Sequence, residues 1–337
     1  MKVIQQRSAG TSSTLEETNA PKPIPSGTDI LIRNWAVSVN PVDNLARSGG
    51  FNHQFPMVLG WDGSGIVEAV GEEVKQYKVG DEVMYAGSII RPGSNSEFTL
   101  VDERIVGRKP KTLSYTEAAG LPLTTLTAWE ALVEQLSIPI PDENGVKNPK
   151  TLLIINGAGG VGSIATQIAL KVLKLENVIA TASRPETQEW CKKMGATHVI
   201  NHHDELKPQL DSLGLTVDYM FICHSTQKYL PIAQNIVNPF GRIVSIVKDS
   251  ATLPFTDLSR ALTFSWENMF AKSIFNHDMI SQSVILNRIA ELIDAGTIIH
   301  TVTETSEFSS DALLTALKKI EAGSVIGKIT LDMKNWA

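Results

Sequence analysis

TLLIINGAGGVGS, residues 151–163, decides the fold of this 337-residue chain. The apolar run at 152–155 has the length and composition of a buried parallel strand. It leads into GAGGVG, residues 157–162, which fits the pattern G-x-G-x-x-G. Apolar residues at helical spacing follow, so strand, glycine turn and helix come in that order. This order predicts a turn that binds a dinucleotide at the N-terminus of a helix.

The residues of the glycine turn have different expected tasks. Gly157 permits the tight turn, Gly159 lets a pyrophosphate approach the backbone, and Gly162 lets helix and strand pack closely. The expected cofactor contacts in this turn are Gly157, Ala158, Gly159, Gly160, Val161 and Gly162. A Walker-type phosphate loop is excluded because no Lys precedes Ser163. The alternative is a glycine-rich turn without a ligand, which the flanking strand and helix disfavour.

The end of the second predicted strand distinguishes NAD from NADP. A carboxylate at this point would bind the ribose 2′-hydroxyl of NAD. Ser183 and Arg184 stand there instead, and both can bind a 2′-phosphate. The sequence therefore predicts NADP(H). The alternative is that Ser183 only caps a helix starting at Pro185, while Arg184 is a solvated loop residue.

Strand and helix patterns alternate from residue 151 to about 260. Strands are predicted at 151–156, 177–182, 198–200, 217–223 and 242–247. Together with the intervening helices they predict an α/β fold with a doubly wound parallel sheet. Before residue 120, short strands with frequent Gly and Pro indicate a partly open β-barrel. Helices at 280–295 and 311–322 and a strand at 327–332 are expected to return to this N-terminal part.

Composition limits the classes of partner and compartment. The net charge of −6 and the pI near 5.7 give no electrostatic footprint for nucleic acid or an anionic membrane. The two cysteines, Cys191 and Cys223, have no neighbour at metal-ligand spacing, so we expect buried thiols in a reducing compartment. The N-terminus lacks the apolar core of a signal peptide, and no apolar run could span a bilayer. We therefore expect a cytoplasmic protein with a small-molecule substrate.

A series of short motifs runs through the chain. They are NPVD (40–43), RSG (47–49), LGWDGSG (59–65), GDEV (80–83), LPLTTLTA (121–128), the glycine turn and MGA (194–196). In this order they resemble the medium-chain dehydrogenase/reductase superfamily, in its quinone oxidoreductase and zinc-type alcohol dehydrogenase-like branch. The resemblance implies a GroES-like β-barrel catalytic domain, residues 1–120 and 265–337, and a Rossmann domain, residues 121–264. It also implies a homodimer in which residues 261–264 pair across a two-fold axis at the edge of the Rossmann sheet.

The expected metal chemistry depends on departures from that superfamily. Its zinc-dependent members place a Cys where Asn40 stands and a His-Glu pair where Trp61 and Asp62 stand. Because Asn40 and Trp61 offer neither thiolate nor imidazole, a tetrahedral catalytic zinc cannot be assembled there. No Cys precedes Cys191, so the four-cysteine structural zinc lobe is absent too. We expect no metal, and we expect the scattered histidines to be surface or packing residues: His53, His202, His203, His224 and His277.

The resemblance also implies a set of catalytic residues. By analogy with the zinc-free members, Asn40 touches the nicotinamide ribose or the substrate oxygen, and Asp43 orders the pocket wall. Thr127 matches a threonine near the nicotinamide. Two tyrosines that line the pocket of typical bacterial quinone oxidoreductases are Leu45 and Phe51 here, which leaves no obvious phenolic proton donor. Phe51, together with Trp61 and Trp129, stays open between pocket lining and core packing.

These features predict hydride transfer from NADPH to a quinone or an α,β-unsaturated carbonyl compound, in an apolar pocket between the two domains. Positioning and polarisation of the carbonyl would account for most of the catalysis. A second hypothesis is a non-catalytic NADPH-binding protein that serves as a redox sensor or a structural protein. A third, disfavoured by the missing ligands, is a zinc-dependent alcohol or carbonyl reductase.

Overall fold

The protein forms two compact units in a computed structural model, which describes residues 1–10, 15–51, 54–142, 145–249 and 252–336. Unit 1 comprises Met1–Leu126 and Phe270–Ala337, and unit 2 comprises Thr127–Met269. Unit 1 is therefore built from both ends of the chain. The division into folding domains at 120/121 and 264/265 stays a proposal.

The helices and strands are numbered in chain order. The first strands and helices are β1 (Lys2–Gln6), β2 (Leu15–Asn19), β3 (Asp29–Ser38), α1 (Pro41–Arg47), β4 (Met57–Val58), β5 (Gly63–Val70), β6 (Glu82–Tyr85), β7 (Phe98–Asp102), β8 (Val106–Arg108), α2 (Tyr115–Ala119) and α3 (Pro122–Trp129). Next come β9 (Asn148–Ile155), α4 (Gly160–Gln167), β10 (Leu175–Thr181), α5 (Pro185–Lys193), β11 (His198–Ile200), α6 (Leu206–Ser212), β12 (Val217–Ile222), α7 (Thr226–Ile236), β13 (Val237–Ser245) and β14 (Thr263–Trp266). The last are α8 (Ala271–Ile274), α9 (Ile280–Asp294), β15 (Val302–Glu307), α10 (Ser310–Glu321) and β16 (Lys328–Asp332).

Unit 2 contains one parallel sheet with the strand order β11-β10-β9-β12-β13-β14. The strand from TLLIINGAGGVGS, β9, lies near its centre, and its residues 152–155 are at most 1% exposed. All five predicted strands are present, so the predicted parallel sheet is confirmed. The sixth strand, β14, was not among the strands predicted from the apolar pattern, although the family resemblance placed residues 261–264 at the edge of this sheet. It has four residues, and the described residues between β13 and β14 contain no helix, so the alternating pattern is missing there.

Unit 1 is a mostly antiparallel β structure. Six strands of its large sheet lie in the order β15-β16-β3-β5-β6-β8, and β7 also pairs with β3. A smaller sheet has the order β2-β1-β4. Three glycines at 60–65 predict a strand that bends or passes close to another backbone. The structure shows the close approach at Gly65, where a Cβ would overlap the Arg33 carbonyl of β3.

The C-terminal segment completes unit 1. Strand β16 pairs antiparallel with β3 through Thr330 and Ser38, and α9 packs on β8. Strand β15, which the sequence pattern did not predict, pairs in parallel with β16. None of the described helices is long and apolar enough to span a bilayer.

Both cysteines are free thiols in unit 2. Burial raises the pKa of Cys191 to about 12 and raises that of Cys223 as well. Thiols held in this protonated form are poor nucleophiles and poor metal ligands. The expectation of a buried thiol is confirmed for Cys191, whereas Cys223 is only partly buried.

Candidate functional site

The glycine turn joins β9 to α4 and is too crowded for side chains at two positions. A Cβ on Gly157 would lie 2.6 Å from Ala180 Cβ on the neighbouring strand β10. A Cβ on Gly162 would lie 2.5 Å from the Asn156 oxygen. At Gly159 the nearest atom would be Asn156 Nδ2 at 3.1 Å, the far end of a side chain. The turn therefore needs Gly157 and Gly162 for its own packing, and it leaves more room at Gly159.

The start of α4 fits the pyrophosphate of a dinucleotide. Gly159 is the N-cap residue in extended conformation, and no side chain caps the helix there. Gly160 and Val161, the first helical residues, are partly exposed, whereas Ala158 is buried. Uncapped N–H groups at a helix N-terminus attract an anion, and the missing side chain at Gly159 lets it come close.

Ser183 and Arg184 follow the end of β10, the strand that lies next to β9 in the sheet. Ser183 is partly buried and Arg184 is exposed. Arg184 is the N-cap residue of α5, and its Nε lies 3.2 Å from the carboxylate of Glu186. Ser183 is therefore not the N-cap of α5, so the capping alternative for it is wrong. The Glu186 carboxylate is on the surface and leaves the guanidinium within reach of solvent.

A cluster of polar side chains is buried in unit 1 around Asn40, the residue immediately before α1. Lys328 Nζ donates hydrogen bonds to the Val39 oxygen at 2.8 Å and to Asn40 Oδ1 at 2.6 Å, and it lies 3.2 Å from Asp62 Oδ2. Asn40 Nδ2 donates to Asp62 Oδ2 at 2.8 Å. The backbone N–H of Leu123 donates to Asp62 Oδ1 at 2.9 Å. Both carboxylate oxygens of Asp62 are thus hydrogen-bonded.

Asp43 adds a second carboxyl group to this cluster. Its Oδ2 accepts a hydrogen bond of 2.7 Å from the backbone N–H of Asn40, which fixes the first turn of α1. Asp43 is 2% exposed. Burial raises its pKa to about 7, against the opposing effects of the Asn40 N–H and the charge of Lys328.

The charges of Asp62 and Lys328 are both opposed by burial. Desolvation raises the pKa of Asp62 and lowers that of Lys328, while the attraction between the two groups acts in the opposite direction for each. We assign the ionised pair, because three acceptor oxygens surround Nζ and only an ammonium group has three N–H donors.

The residues at the position of the family zinc site do not fit that metal. Asn40 and Asp62 present oxygens rather than thiolate or imidazole, and those oxygens already accept hydrogen bonds from Lys328 Nζ. The indole N–H of Trp61 donates to the Ser88 oxygen at 3.0 Å. Across the described residues, no group of three or more His, Cys, Asp or Glu side chains could hold a metal ion. His53 lies outside the described residues.

The remaining predicted site residues lie in different surroundings. Thr127 is buried in α3. Leu45, on α1, is 48% exposed, and Phe51, shortly after it, is 38% exposed. Trp61 is 1% exposed, in agreement with core packing; it also lines a cavity of about 220 Å³ within unit 1, whose lining includes none of Asn40, Asp43 and Thr127. Trp129 is 9% exposed, in agreement with core packing.

Sequence reasoning missed Lys328 and the role of Asp62. Lys328 is separated from Asp62 by 266 residues, so no local spacing connects them. The sequence shows only that a lysine stands in the predicted strand at 327–332; its burial, at 3% exposed, is seen only in the structure. A buried lysine in a strand needs an anionic partner, but the sequence does not say which one.

Comparison with known families identifies both parts of the chain. Residues 26–111 match the model of the alcohol dehydrogenase GroES-like domain, and residues 160–305 match that of the zinc-binding dehydrogenases. A zinc-type alcohol dehydrogenase-like protein of Staphylococcus aureus strain COL is 42% identical over 316 residues, covering 93% of each chain. A 2-methylene-furan-3-one reductase of Solanum lycopersicum is 30% identical over 324 residues, covering 94% of this chain and 74% of the reductase.

Solved structures agree with this assignment. A Rhizobium etli CFN 42 protein described as a zinc-dependent alcohol dehydrogenase is 43% identical, with a TM-score of 0.91 and 98% of each chain covered. The Escherichia coli quinone oxidoreductase, in a complex with NADPH, shares the fold at 23% identity, with a TM-score of 0.82, 98% of this chain and 100% of that chain covered. The strand–turn–helix of unit 2 and the β structure of unit 1 are thus the Rossmann and GroES-like parts of one architecture. The chain belongs to the medium-chain dehydrogenase/reductase superfamily of oxidoreductases.

Proposed function

We propose that this oxidoreductase reduces a quinone or an α,β-unsaturated carbonyl compound with NADPH and uses no catalytic zinc. The observation that carries the proposal is the open glycine turn before α4, combined with Ser183 and Arg184 at the end of β10, where no carboxylate stands. Bound NADPH supplies a hydride, and the acceptor takes it up with one proton to give a hydroquinone or a saturated carbonyl compound. The tomato furanone reductase and the NADPH-bound quinone oxidoreductase support this choice of acceptor and cofactor.

The residues of unit 2 have binding roles in this proposal. The backbone at Gly157, Ala158, Gly159, Gly160, Val161 and Gly162 holds the pyrophosphate. Ser183 and Arg184 hold the 2′-phosphate, with the guanidinium as the charged partner. Thr127 is proposed to contact the nicotinamide.

In unit 1 we propose that Asn40 and Asp43 shape the wall of the acceptor pocket. The Asn40 amide is 1% exposed, and its Nδ2 already donates to Asp62 at 2.8 Å. Its second N–H points towards the Trp61 oxygen, which lies 3.5 Å from Nδ2, so direct polarisation of an acceptor oxygen by this buried amide would require that contact to break. We therefore assign Asn40 and Asp43 to holding the start of α1, and we propose that solvent supplies the proton.

The test is a turnover screen of the purified protein with NADPH and a panel of quinones, enones, enals and simple aldehydes. Oxidation of NADPH is followed by its absorbance, with NADH as the cofactor control. We expect turnover with activated alkenes or quinones, a lower KM for NADPH than for NADH, and full activity after treatment with a metal chelator. Absence of turnover with every acceptor contradicts the proposal, and loss of activity on chelation contradicts its zinc-free part.

The competing function is NADPH binding without catalysis, and the absence of tyrosine at positions 45 and 51 favours it. It predicts that NADPH raises Tm while no acceptor oxidises the cofactor. The same screen, run beside a thermal melt with and without NADPH, separates the two functions.

A further inference from the structure

We propose that Lys328 is a positioning residue for the reduction. Its ammonium group takes the place of a bound cation in the buried polar cluster of unit 1 and fixes the start of α1. The catalytic part of this inference rests on the proposed function. Its structural part, a fixed positive charge that organises a buried cluster, stands on the contacts of unit 1 alone.

All the hydrogen-bonding capacity of the ammonium group is used inside the protein. Its three acceptors are the Val39 oxygen at 2.8 Å, Asn40 Oδ1 at 2.6 Å and Asp62 Oδ2 at 3.2 Å. A lysine ammonium group has three N–H donors, so none is left for a substrate. Lys328 therefore acts through the groups it holds.

Those groups lie at the beginning of α1. Val39 and Asn40 immediately precede the helix, and the Asn40 N–H donates to Asp43 in its first turn. The ammonium group thus connects the C-terminal strand β16 to the N-terminus of α1. Leu45, which the family resemblance places in the pocket wall, lies on this helix and is held with it.

Burial makes the positive charge necessary. The side chains of Lys328 and Asp62 are 4% and 0% exposed, and Asp43 is a second buried carboxyl group nearby. Without the ammonium group, Asp62 would be a buried anion with no counter-ion, and the two carboxyl groups would repel each other if both were ionised. The cluster would have to take up a proton, admit water or change its geometry.

The oxygens around Nζ converge as they do around a bound cation. A carbonyl, an amide oxygen and a carboxylate are typical ligands of hard metal ions and are not the set that zinc prefers. In this chain the cation is covalently part of the polypeptide, and a chelator cannot remove it.

The sharpest test is chemical rescue of Lys328→Ala. This substitution removes three methylene groups and the ammonium group, which is the composition of n-propylammonium. Lys319→Ala is the matched control, because Lys319 pairs with Glu304 on the surface of the same unit. We expect Lys328→Ala to lower Tm by roughly 5 °C or more and kcat by at least about tenfold, with little change in KM for NADPH. Added n-propylammonium should restore both in a saturable way.

The controls distinguish the effect of the positive charge from the effect of filling the space that the lysine side chain leaves. n-Propanol, tetramethylammonium and NaCl at matched concentrations should not rescue Lys328→Ala, and n-propylammonium should not affect wild type or Lys319→Ala. Wild-type Tm and kcat in Lys328→Ala, or rescue by n-propanol to the same extent, would overturn the inference. So would one equivalent of zinc per wild-type chain whose removal lowers Tm.

A second pair of variants covers the case in which Lys328→Ala does not fold. Lys328→Arg keeps the charge, and Lys328→Met keeps the approximate shape without it. We expect Arg to retain a higher Tm and kcat than Met; the reverse order contradicts a role for the cation. If wild type turns over no acceptor, the proposed function fails, while the Tm comparisons still decide whether Lys328 organises the cluster.

Discussion

A buried carboxyl group whose pKa lies near neutral pH makes the stability of the protein depend on pH. The pKa of Asp43 is raised to about 7, so the folded protein binds this proton more tightly than the unfolded chain does. The stability that Asp43 contributes is therefore fully present at acidic pH, below the pKa of the unfolded chain, and is lost as pH rises through about 7. Asn at this position cannot titrate, and it keeps an oxygen to accept the Asn40 N–H.

We predict that the free energy of unfolding of wild type falls by about 2 to 3 kcal/mol relative to Asp43→Asn between pH 5 and pH 8. Urea denaturation of both proteins at the two pH values measures this difference. Asp311→Asn, on the exposed side of α10, is the matched control. Parallel pH curves for wild type and Asp43→Asn would show that Asp43 is ionised throughout.

The choice of cofactor should depend on Arg184. Replacing it with Ala removes the charged partner of a 2′-phosphate, which NADH lacks. We predict that Arg184→Ala raises KM for NADPH about tenfold or more and leaves KM for NADH within about twofold of wild type. Steady-state kinetics with both cofactors measure this, with Lys192→Ala on the same helix as the control. An equal change for both cofactors would mean that Arg184 does not read the 2′-phosphate.

Single residues differ in how much the sequence reveals about them. The glycine turn was predictable because strand, turn and helix are contiguous and because Gly157 and Gly162 answer local steric demands. The contact of Lys328 with Asp62 was not predictable, because it joins positions 266 residues apart. Asn40 is intermediate: its position could be assigned by resemblance, but its hydrogen bonds depend on that same distant lysine.

At the scale of secondary-structure elements, the strand–turn–helix of β9 and α4 separates packing from binding. A Cβ at position 162 would meet the Asn156 backbone oxygen at 2.5 Å, and backbone cannot easily move away. A Cβ at position 159 would meet the Asn156 side chain at 3.1 Å, and a side chain can rotate. The two glycines therefore predict different consequences for the same substitution.

We predict that Gly162→Ala destabilises the protein by about 2 kcal/mol or more, through overpacking between α4 and β9. The free energy of unfolding of Gly159→Ala should lie within about 1 kcal/mol of the wild-type value. This variant should nevertheless lose most of its affinity for NADPH, because the new methyl group stands where the pyrophosphate approaches. Denaturant unfolding and NADPH titration of both variants measure these effects. Equal stability of the two variants would contradict the packing argument, and full NADPH affinity in Gly159→Ala would contradict the binding one.

The edges of the sheets were harder to predict than their centres. The five strands predicted in unit 2 include its buried core, where apolar runs are continuous. The edge strand β14 has two exposed residues among its four, and β15 is mostly exposed, so neither carries a strong apolar pattern. Their positions follow from pairing with β13 and β16, which is tertiary information.

For the whole molecule, β14 makes the oligomeric state testable. It is the last strand of the unit 2 sheet, and Trp266 at its end is 43% exposed. We predict that wild type sediments as a homodimer and that Thr263→Lys with Trp266→Lys shifts it to monomer, because lysines on an edge strand oppose pairing. Val284→Lys, at an exposed position of α9, is the control. A monomeric wild type, or a double variant that stays dimeric, would place the interface elsewhere or exclude it.

The assembly of unit 1 from both chain ends could be foreseen in outline only. Two amphipathic helices and a strand after residue 270 could not extend the parallel sheet, which left return to the N-terminal part as the simplest outcome. The register of β16 on β3, and with it the inward position of Lys328, required the three-dimensional structure.

This connectivity has a consequence for the order of events during synthesis. A ribosome has polymerised all of unit 2, Thr127–Met269, before it adds Lys328. Until then Asp62 has no ammonium partner, and residues 36–38 of β3 have no β16 beside them. Unit 2 can close around its own core while translation continues. The buried polar cluster at the start of α1 gains its positive charge only when the last strand emerges.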